Sequence, residues 1–310
     1  MGKALDLAHV TYEAPDLALM ERFMTDFGLV KVASSNGALY LRGTGHQHHL
    51  HVTRQAAQPR FVGAAFEMSC KEDLDHLATL PGSSPVARSQ EPGGGWEVCM
   101  RMPDGFEMRA IWGRERAMPL PLRAAHAFNA GQRKHRINGS IRVKREPCPA
   151  IRLGHFVLHV SNHDESVLWL QERFQMLPSD HFLPPGQDGP VVGTFLRFDH
   201  GQELVDHHSI LVLQSERVGL HHCAFEVQDL DAIMTAHDFL VGQGWKLDVG
   251  VGRHLMGSQV FDYWIDPFGF RVEHYTDGDV VNAQHKAGSF NGTASETTQW
   301  GMEPPPEFFE

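Results

Sequence analysis

Histidine is the most unusual feature of this sequence, with 21 copies among 310 residues. It is the commonest metal ligand in proteins. Three residues in the second half have metal-ligand chemistry, namely His155, His222 and Glu273. Two neutral imidazoles and one carboxylate form the facial triad that suits non-haem Fe(II) and leaves coordination positions open. Zinc accepts the same ligand set, so the residue types alone do not name the metal.

His221 competes with His222 for the second ligand position. Adjacent residues of a β-strand point to opposite faces, so only one of the two can face a metal. The residues alone leave that choice open. If His222 is the ligand, the same alternation turns Cys223 away from the metal and favours a small core residue there.

A second group of histidines lies in the first half of the chain and consists of His46, His48, His49 and His51. One interpretation is a second metal site. The other is that the group is the counterpart of His207 and His208 in an exposed or edge strand. We favour the counterpart, because no carboxylate partner is visible at the matched place.

An internal repeat indicates which elements position these residues. Residues 7–11 read Leu-Ala-His-Val-Thr and residues 153–157 read Leu-Gly-His-Phe-Val; an amphipathic helix is predicted after each. Ala-Phe-Glu recurs at 65–67 and 224–226, and Asp-Leu-Asp, which resembles a helix start, recurs at 73–75 and 229–231. Each half is therefore predicted to contain two units, and each unit consists of a strand, a helix and several strands. The chain would then have four such units in two domains.

The repeat makes one half a control for the other. When the halves are overlaid, Gly63 occupies the place of His222, and Arg109 occupies the place of Glu273. Only His9 matches a ligand candidate, His155. A glycine and a cation at the other two places predict that the first half does not build the same site.

The predicted domains are residues 1–112, without metal, and residues 151–283, which carry the metal-ligand candidates. Residues 113–150 contain scattered prolines and a basic run, which is typical of a linker. Residues 284–310 are rich in Gly, Ser, Thr and Pro and form a tail that either covers the protein or is mobile.

Composition excludes several function classes. The chain has 27 Lys and Arg against 38 Asp and Glu, a net charge of −11, and no basic block, so we expect neither a nucleic-acid nor a membrane partner. No stretch approaches the roughly 18 continuous apolar residues of a membrane span, and the first residues lack the apolar core of a signal peptide. Four scattered cysteines indicate a reduced, cytoplasmic protein.

Three segments of the second half resemble a known family. Residues 252–275 read GRHLMGSQVFDYWIDPFGFRVEHY, residues 220–225 read LHHCAF, and residues 153–155 read LGH. They are similar to the extradiol (meta-cleaving) catechol dioxygenases of the vicinal oxygen chelate superfamily. The resemblance implies an α+β fold with two barrel-like domains, built from four repeated βαβββ modules.

The resemblance also implies a role for each matching residue. The metal ligands would be His155, His222 and Glu273, which selects His222 over His221. The metal would be Fe(II), with Mn(II) as the alternative. An acid–base histidine, a tyrosine that binds a substrate oxygen and a further active-site histidine are matched by His208, Tyr263 and His254. Val157 stands where some relatives have a polar side chain, which leaves the accepted ring substituents open.

The activity implied by the resemblance is meta cleavage of a catecholic substrate by dioxygen in the degradation of aromatic compounds, by a homo-oligomer. Two alternatives remain. One is a glyoxalase-type isomerase or epimerase on the same scaffold, which uses a metal but no dioxygen. The other is a metal-free protein that binds a small molecule. Both alternatives predict no oxygen uptake with catechols.

Overall fold

A computed structural model describes residues 3–309, and its elements follow the predicted repeat. The first unit consists of β1 (Ala4–Ala14), α1 (Leu17–Phe27), β2 (Val30–Ser35), β3 (Ala38–Arg42) and β4 (His51–Gln55). The second unit consists of β5 (Arg60–Met68), α2 (Lys71–Leu77), β6 (Ala87–Arg88), β7 (Trp96–Arg101) and β8 (Glu107–Trp112).

The second half repeats this order. The third unit consists of β9 (Arg152–Val160), α3 (His163–Phe174), β10 (Leu177–Phe182), β11 (Gly193–Arg197), the short β12 (Val205–Asp206) and β13 (Ile210–Gln214). The fourth consists of β14 (Gly219–Glu226), α4 (Leu230–Gln243), β15 (Lys246–His254), β16 (Val260–Ile265) and β17 (Arg271–Thr276). The chain continues with β18 (Val280–Val281), β19 (Gly288–Phe290) and β20 (Thr298–Gly301).

Each half forms one large sheet. The first has the order β2-β3-β4-β1-β5-β8-β7-β6, and the second has the order β19-β10-β11-β13-β9-β14-β17-β16-β15-β20. In both sheets the first strands of the two units pair antiparallel at the centre, β1 with β5 and β9 with β14. This duplicated arrangement confirms the predicted α+β fold built from four repeated units. The exact domain boundaries stay a prediction.

Helix caps explain where the longer helices begin. Asp16, Asn162 and Asp229 each accept a hydrogen bond from a backbone N–H of the first turn of α1, α3 and α4. Asp229 thus starts a helix, as predicted. The matching Asp73 does not, because α2 begins two residues earlier, at Lys71, and Asp73 lies inside its first turn.

Aromatic side chains pack the two halves against each other. Phe66 of β5 stacks on Phe174 of α3 with ring centroids 3.8 Å apart, and both are fully buried. Phe27 stacks on His274 at 3.6 Å, and its carbonyl accepts a hydrogen bond from the His274 Nε2. Burial on both sides fixes the sheets relative to each other, so the strands of the second half form a rigid base for the site.

The segments outside the units differ from each other. Residues 113–150 contain no helix or strand, and their role as a linker stays a prediction. The tail is not loose, because β19 pairs with β10, β20 pairs with β15, and the last turn, Pro306–Phe309, packs on the second sheet. Among residues 3–309 no helix is long and apolar enough to cross a membrane.

Candidate metal centre and its pocket

Three neighbouring strands bring the predicted ligands together. His155 of β9 lies opposite Ala224 of β14, and Ala224 lies opposite Glu273 of β17 on its other side. His222 comes two residues before Ala224, so both point to the same face of the sheet. Three residues that are up to 118 positions apart in the chain therefore converge on one point.

The ligand atoms are spaced as a small metal ion requires. The Nε2 atoms of His155 and His222 lie 3.0 and 3.1 Å from Glu273 Oε2, and 3.3 Å from each other. Bonds of about 2.1 Å that meet at right angles place their ligand atoms about 3.0 Å apart. The other oxygen of Glu273, Oε1, is buried and has no hydrogen-bond partner. This ligand set fits a metal with its three protein ligands on one face.

The charges of the cluster favour a cation. Burial opposes ionisation of Glu273, yet the neighbouring His155 and His222 hold the pKa of this carboxyl well below its usual range. Burial lowers the pKa of His222 to about 4, so this imidazole is neutral at neutral pH. An ionised carboxylate beside a neutral imidazole is the protonation state that metal binding needs.

His208 lies beside the cluster and contacts His207, which in turn contacts Asp180, a residue that the sequence did not reveal. Its ring centroid is 4.5 Å from that of His155. His208 Nδ1 is 3.1 Å from His207 Nδ1, and His207 Nε2 is 2.9 Å from Asp180 Oδ2. Burial, with the nearby His155 and His207, lowers the pKa of His208 well below its usual value. Asp180 comes from β10, and no motif marks it.

Tyr263 and His254 lie on the other side of the cluster. His254 Nε2 is 2.9 Å from the Tyr263 hydroxyl and 3.7 Å from Glu273 Oε1. Burial, reinforced by the charge of Glu273, raises the pKa of Tyr263 well above its usual value. The phenol therefore stays protonated. The structure thus brings together all six predicted site residues, whose individual roles stay predictions.

A pocket of about 430 Å³, part of it open to solvent, lies in front of the ligands. His155, His222, His208, His254 and Tyr263 line its polar end. The remaining wall is mostly apolar and is formed by Val157, Phe182, Phe195, Leu211, Met256, Phe308 and Phe309. This arrangement can hold a ring with its polar edge toward the cluster and exclude water around it.

The tail completes this wall, which the sequence analysis did not foresee. Phe308 is buried, its ring lies under the Arg271 guanidinium at 4.2 Å, and its carbonyl accepts a hydrogen bond of 2.6 Å from His221 Nε2. His221 therefore binds the tail, whereas His222 faces Glu273. Because the tail contacts its partners through three-dimensional packing across 87 residues of sequence, no local pattern could have announced it.

The first half contains the glycine and the cation where they were predicted. His9 lies opposite Ala65, and Ala65 lies opposite Arg109, which is the register of His155, Ala224 and Glu273. Gly63 comes two residues before Ala65, at the place of His222. The first half therefore lacks two of the three matching ligands, as the overlay of the repeats predicted.

The prediction for the first-half histidines was wrong about their place in an exposed or edge strand. The group does match His207 and His208, since His48 Nδ1 and His49 Nδ1 are also 3.1 Å apart. However, His49 is buried, and β4, which follows it, is an interior strand between β3 and β1. A carboxylate is also present, because Glu91 Oε2 lies 3.3 Å from His49 Nε2. Glu91 comes from a loop, which the comparison of matched places could not detect.

A guanidinium lies where this first-half cluster could hold a metal. His9, His49 and Glu91 bring possible ligand atoms within 4.8 Å of one another. Arg114 Nη1 lies 2.9 Å from His9 Nδ1 and 3.0 Å from His49 Nε2, and its Nη2 lies 2.7 Å from Glu91 Oε2. The positive charge inside this cluster is therefore the guanidinium of Arg114, a residue of the chain itself.

Paired βαβββ units with a buried cluster of two histidines and one glutamate are similar to the vicinal oxygen chelate fold, and the cluster is a ligand set that suits a metal. Residues 152–274 match the family model described as the Glyoxalase/Bleomycin resistance protein/Dioxygenase superfamily, so this segment belongs to that superfamily. Over 314 residues the chain is 26% identical to Metapyrocatechase 2 of Cupriavidus necator, with 97% of this chain and 90% of that protein covered. These matches confirm the predicted family resemblance.

Solved structures share the fold over nearly the whole chain. The Mn(II)-bound glyoxalase from Novosphingobium aromaticivorans is 21% identical with a TM-score of 0.81, covering 99% of this chain and 94% of that one. The homoprotocatechuate 2,3-dioxygenase from Brevibacterium fuscum, in complex with 3,4-dihydroxyphenylacetate, is 19% identical with a TM-score of 0.79, covering 99% and 92%.

Proposed function

We propose that this protein is an extradiol ring-cleaving dioxygenase, which adds both atoms of dioxygen to a catecholic substrate and opens the ring beside the diol. The observation that carries the proposal is the convergence of His155, His222 and Glu273, with ligand atoms 3.0 to 3.3 Å apart, at the polar end of an apolar cavity. The similarity to Metapyrocatechase 2 supports the same activity and a place in aromatic degradation.

His155 Nε2, His222 Nε2 and Glu273 Oε2 would hold a single Fe(II), the ion that this ligand set suits best. Once bound, the iron supplies positive charge that favours the ionised diol, and open positions where substrate and dioxygen meet. Mn(II) is the alternative ion, since the glyoxalase neighbour was solved with Mn(II).

Tyr263 and His254 would orient the substrate. The Tyr263 hydroxyl stays protonated, so it donates a hydrogen bond to one oxygen of the diol. His254, 2.9 Å from that hydroxyl, fixes its direction. A donor at a fixed position selects the binding pose in which the two diol oxygens face the ligand cluster.

His208 would move protons. Its Nδ1 is occupied by His207, so Nε2 is the nitrogen left to exchange a proton with the substrate. His207 and Asp180 hold the ring in place, as the outer partners of a working imidazole commonly do. The low proton affinity of this buried histidine leaves it neutral and able to accept a proton when the diol binds.

The direct test uses protein loaded with Fe(II) under anaerobic conditions and then mixed with air and catechol. We expect oxygen consumption, one O2 per ring opened, and a yellow ring-opened product. Metal-free protein and protein loaded with Zn(II) are the controls. Iron-loaded protein that consumes no oxygen with any catechol would refute the proposal.

The same preparation separates the two alternatives. A glyoxalase-type isomerase or epimerase would retain stoichiometric metal but consume no oxygen. A metal-free binding protein would retain no stoichiometric iron after desalting. The fit of the three ligand atoms to a metal supports an iron content of one per chain.

We also propose that the enzyme is cytoplasmic and homo-oligomeric, with no nucleic-acid or membrane partner. The four free cysteines support a cytoplasmic location. The net charge of −11 supports the absence of a nucleic-acid or membrane partner. The family resemblance supports the assembly. Light scattering after gel filtration measures the subunit number, and a mass of one 34.7 kDa chain would contradict it.

A further inference from the structure

The apolar part of the cavity carries information about the substrate beyond its diol. We infer that the catechol ring bears an uncharged, apolar substituent and that the tail residue Phe309 helps to select it. The inference rests on the proposed function, because it concerns the same cavity. It adds the chemistry of the substituent, which the sequence left open.

The wall away from the ligand cluster is hydrocarbon. Val157, Phe195 and Leu211 are buried side chains from the adjacent strands β9, β11 and β13. Phe182 packs on Phe195 with ring centroids 5.3 Å apart, and Phe309 lies 5.9 Å from Phe182 on the tail side. A substituent that leaves the diol end therefore meets aromatic and aliphatic carbon.

Among the residues that the structure describes, two polar side chains line the cavity besides those already given a role. Thr297 donates its hydroxyl hydrogen to the carbonyl of Ala294, so it has no donor left for an anionic ligand. Gln259 is buried and uncharged, and its Oε1 has no partner. Its amide can accept or donate a hydrogen bond, but it carries no charge that would neutralise an anion.

Cations near the cavity are engaged elsewhere. Arg271 lies behind the Phe308 ring and is 2.6 Å from Asp248. Arg253 is 2.7 Å from Asp277. Among residues 3–309, no Lys or Arg lines the cavity. A carboxylate on the substituent would therefore lose hydration without gaining a cationic partner, which is unfavourable.

The tail is part of this wall and is anchored from behind. The Phe308 carbonyl is held by His221 and its ring by Arg271, which fixes the neighbouring Phe309 against the cavity. Phe309 also stacks on His221, with ring centroids 5.5 Å apart. Phe309 thus places a carbon surface where the substituent lies, opposite Phe182.

These contacts predict the size of the preference. Each methylene that moves from water into the cavity should strengthen binding about four-fold. A carboxylate on the same substituent should weaken binding about 100-fold or more relative to its neutral counterpart, because the charge loses its hydration. The Brevibacterium neighbour, solved with the carboxylated 3,4-dihydroxyphenylacetate, offers a useful comparison enzyme.

The experiment compares two matched substrate pairs on the iron-loaded protein. One pair is 3,4-dihydroxyphenylacetate and its methyl ester, and the other is 3-propylcatechol and 3-(2,3-dihydroxyphenyl)propionate. Anaerobic calorimetry gives the Kd of each compound, and oxygen uptake gives kcat/KM. We expect the neutral member of at least one pair to be favoured about 100-fold in both measurements.

Failure of this inference is distinguishable from failure of the proposed function. Oxygen uptake with unsubstituted catechol, together with equal or tighter binding of the carboxylates, would overturn the apolar substituent and leave the dioxygenase intact. Absence of oxygen uptake with every compound would overturn the activity itself. The substrate panel needs no variant, so it stands whether or not a mutant folds.

A charge placed on the tail tests the role of Phe309. Phe309→Arg should lower the preference for the neutral compound at least about ten-fold, because the guanidinium can pair with the carboxylate. Met118→Arg adds the same charge at a position that is 84% exposed, and it should leave the preference unchanged. An unchanged preference in a folded Phe309→Arg protein would overturn the assignment of the tail to the substituent wall.

Discussion

Removal of the Arg114 guanidinium should destabilise the first half and create a metal site there. Glu91 is 8% exposed, and Arg114 Nη2 is its nearest cation at 2.7 Å. Loss of one partner of a buried ion pair costs about 3 to 5 kcal/mol. Arg54 and Arg109 remain 3.6 Å from the other oxygen of Glu91. We therefore expect the lower end for Arg114→Ala, about 3 kcal/mol.

The histidines of this cluster should then become metal ligands. Burial lowers the pKa of His9 well below its usual value and that of His49 to about 4, so both imidazoles are neutral and accept hydrogen bonds from Arg114. Without the guanidinium these nitrogens and Glu91 Oε2 face a buried space with a negative charge. A divalent ion at about 100 times its Kd would restore about 2.7 kcal/mol.

Urea unfolding of Arg114→Ala at neutral pH, with and without Zn(II), measures both effects. Arg114→Lys is the matched control, because it keeps a cation but loses part of the hydrogen bonding, at a cost of about 1 kcal/mol. The double variant Arg114→Ala/Glu91→Gln should lose the response to zinc. A loss of stability below about 1 kcal/mol in Arg114→Ala, or zinc binding to the first half of the wild-type protein, would refute the reasoning.

The remaining predictions concern the proposed centre and the response to pH. Glu273→Gln should lose its iron, measured by metal analysis after desalting, whereas His208→Phe should retain iron and lose most of its oxygen uptake. Asp180→Asn should lower kcat about 10- to 100-fold at full iron content, because it releases the support of His208. Burial lowers the pKa of His51 to about 3, so the unfolded chain takes up a proton that the folded chain does not. The contribution of His51 to the free energy of unfolding is therefore complete above about pH 6.5 and falls by about 2 kcal/mol at pH 5. Urea unfolding of His51→Phe at the two pH values should lack this loss.

The parts of the site on strands could be predicted from the sequence, because strand register is periodic. When the two halves are aligned on His9 and His155, Gly63 aligns with His222 and Arg109 aligns with Glu273. The strand pairing in the two sheets shows the same equivalences. The choice between His221 and His222 was different. It needed a family resemblance, since alternation allows either residue to face the cluster.

The parts contributed by loops could not be predicted. Glu91 reaches His49 from a loop 42 residues away, and Phe308 reaches His221 from the tail 87 residues away. Neither contact leaves a periodic pattern, because tertiary packing rather than strand geometry places them. The expectation of an exposed histidine group failed for the same reason. Its carboxylate partner lies outside every matched strand position.

The two halves solve one electrostatic problem in different ways. Each sheet buries a carboxylate beside two imidazoles, and a buried anion needs a cation nearby. In the first half Arg114 supplies that cation covalently and fills the space. In the second half no Lys or Arg among the described residues forms an ion pair with Glu273, whose nearest side-chain nitrogens belong to the histidines His155, His222 and His254. A bound metal would supply the cation that the second half lacks, which is the physical reason to expect a metal there and not in the first half.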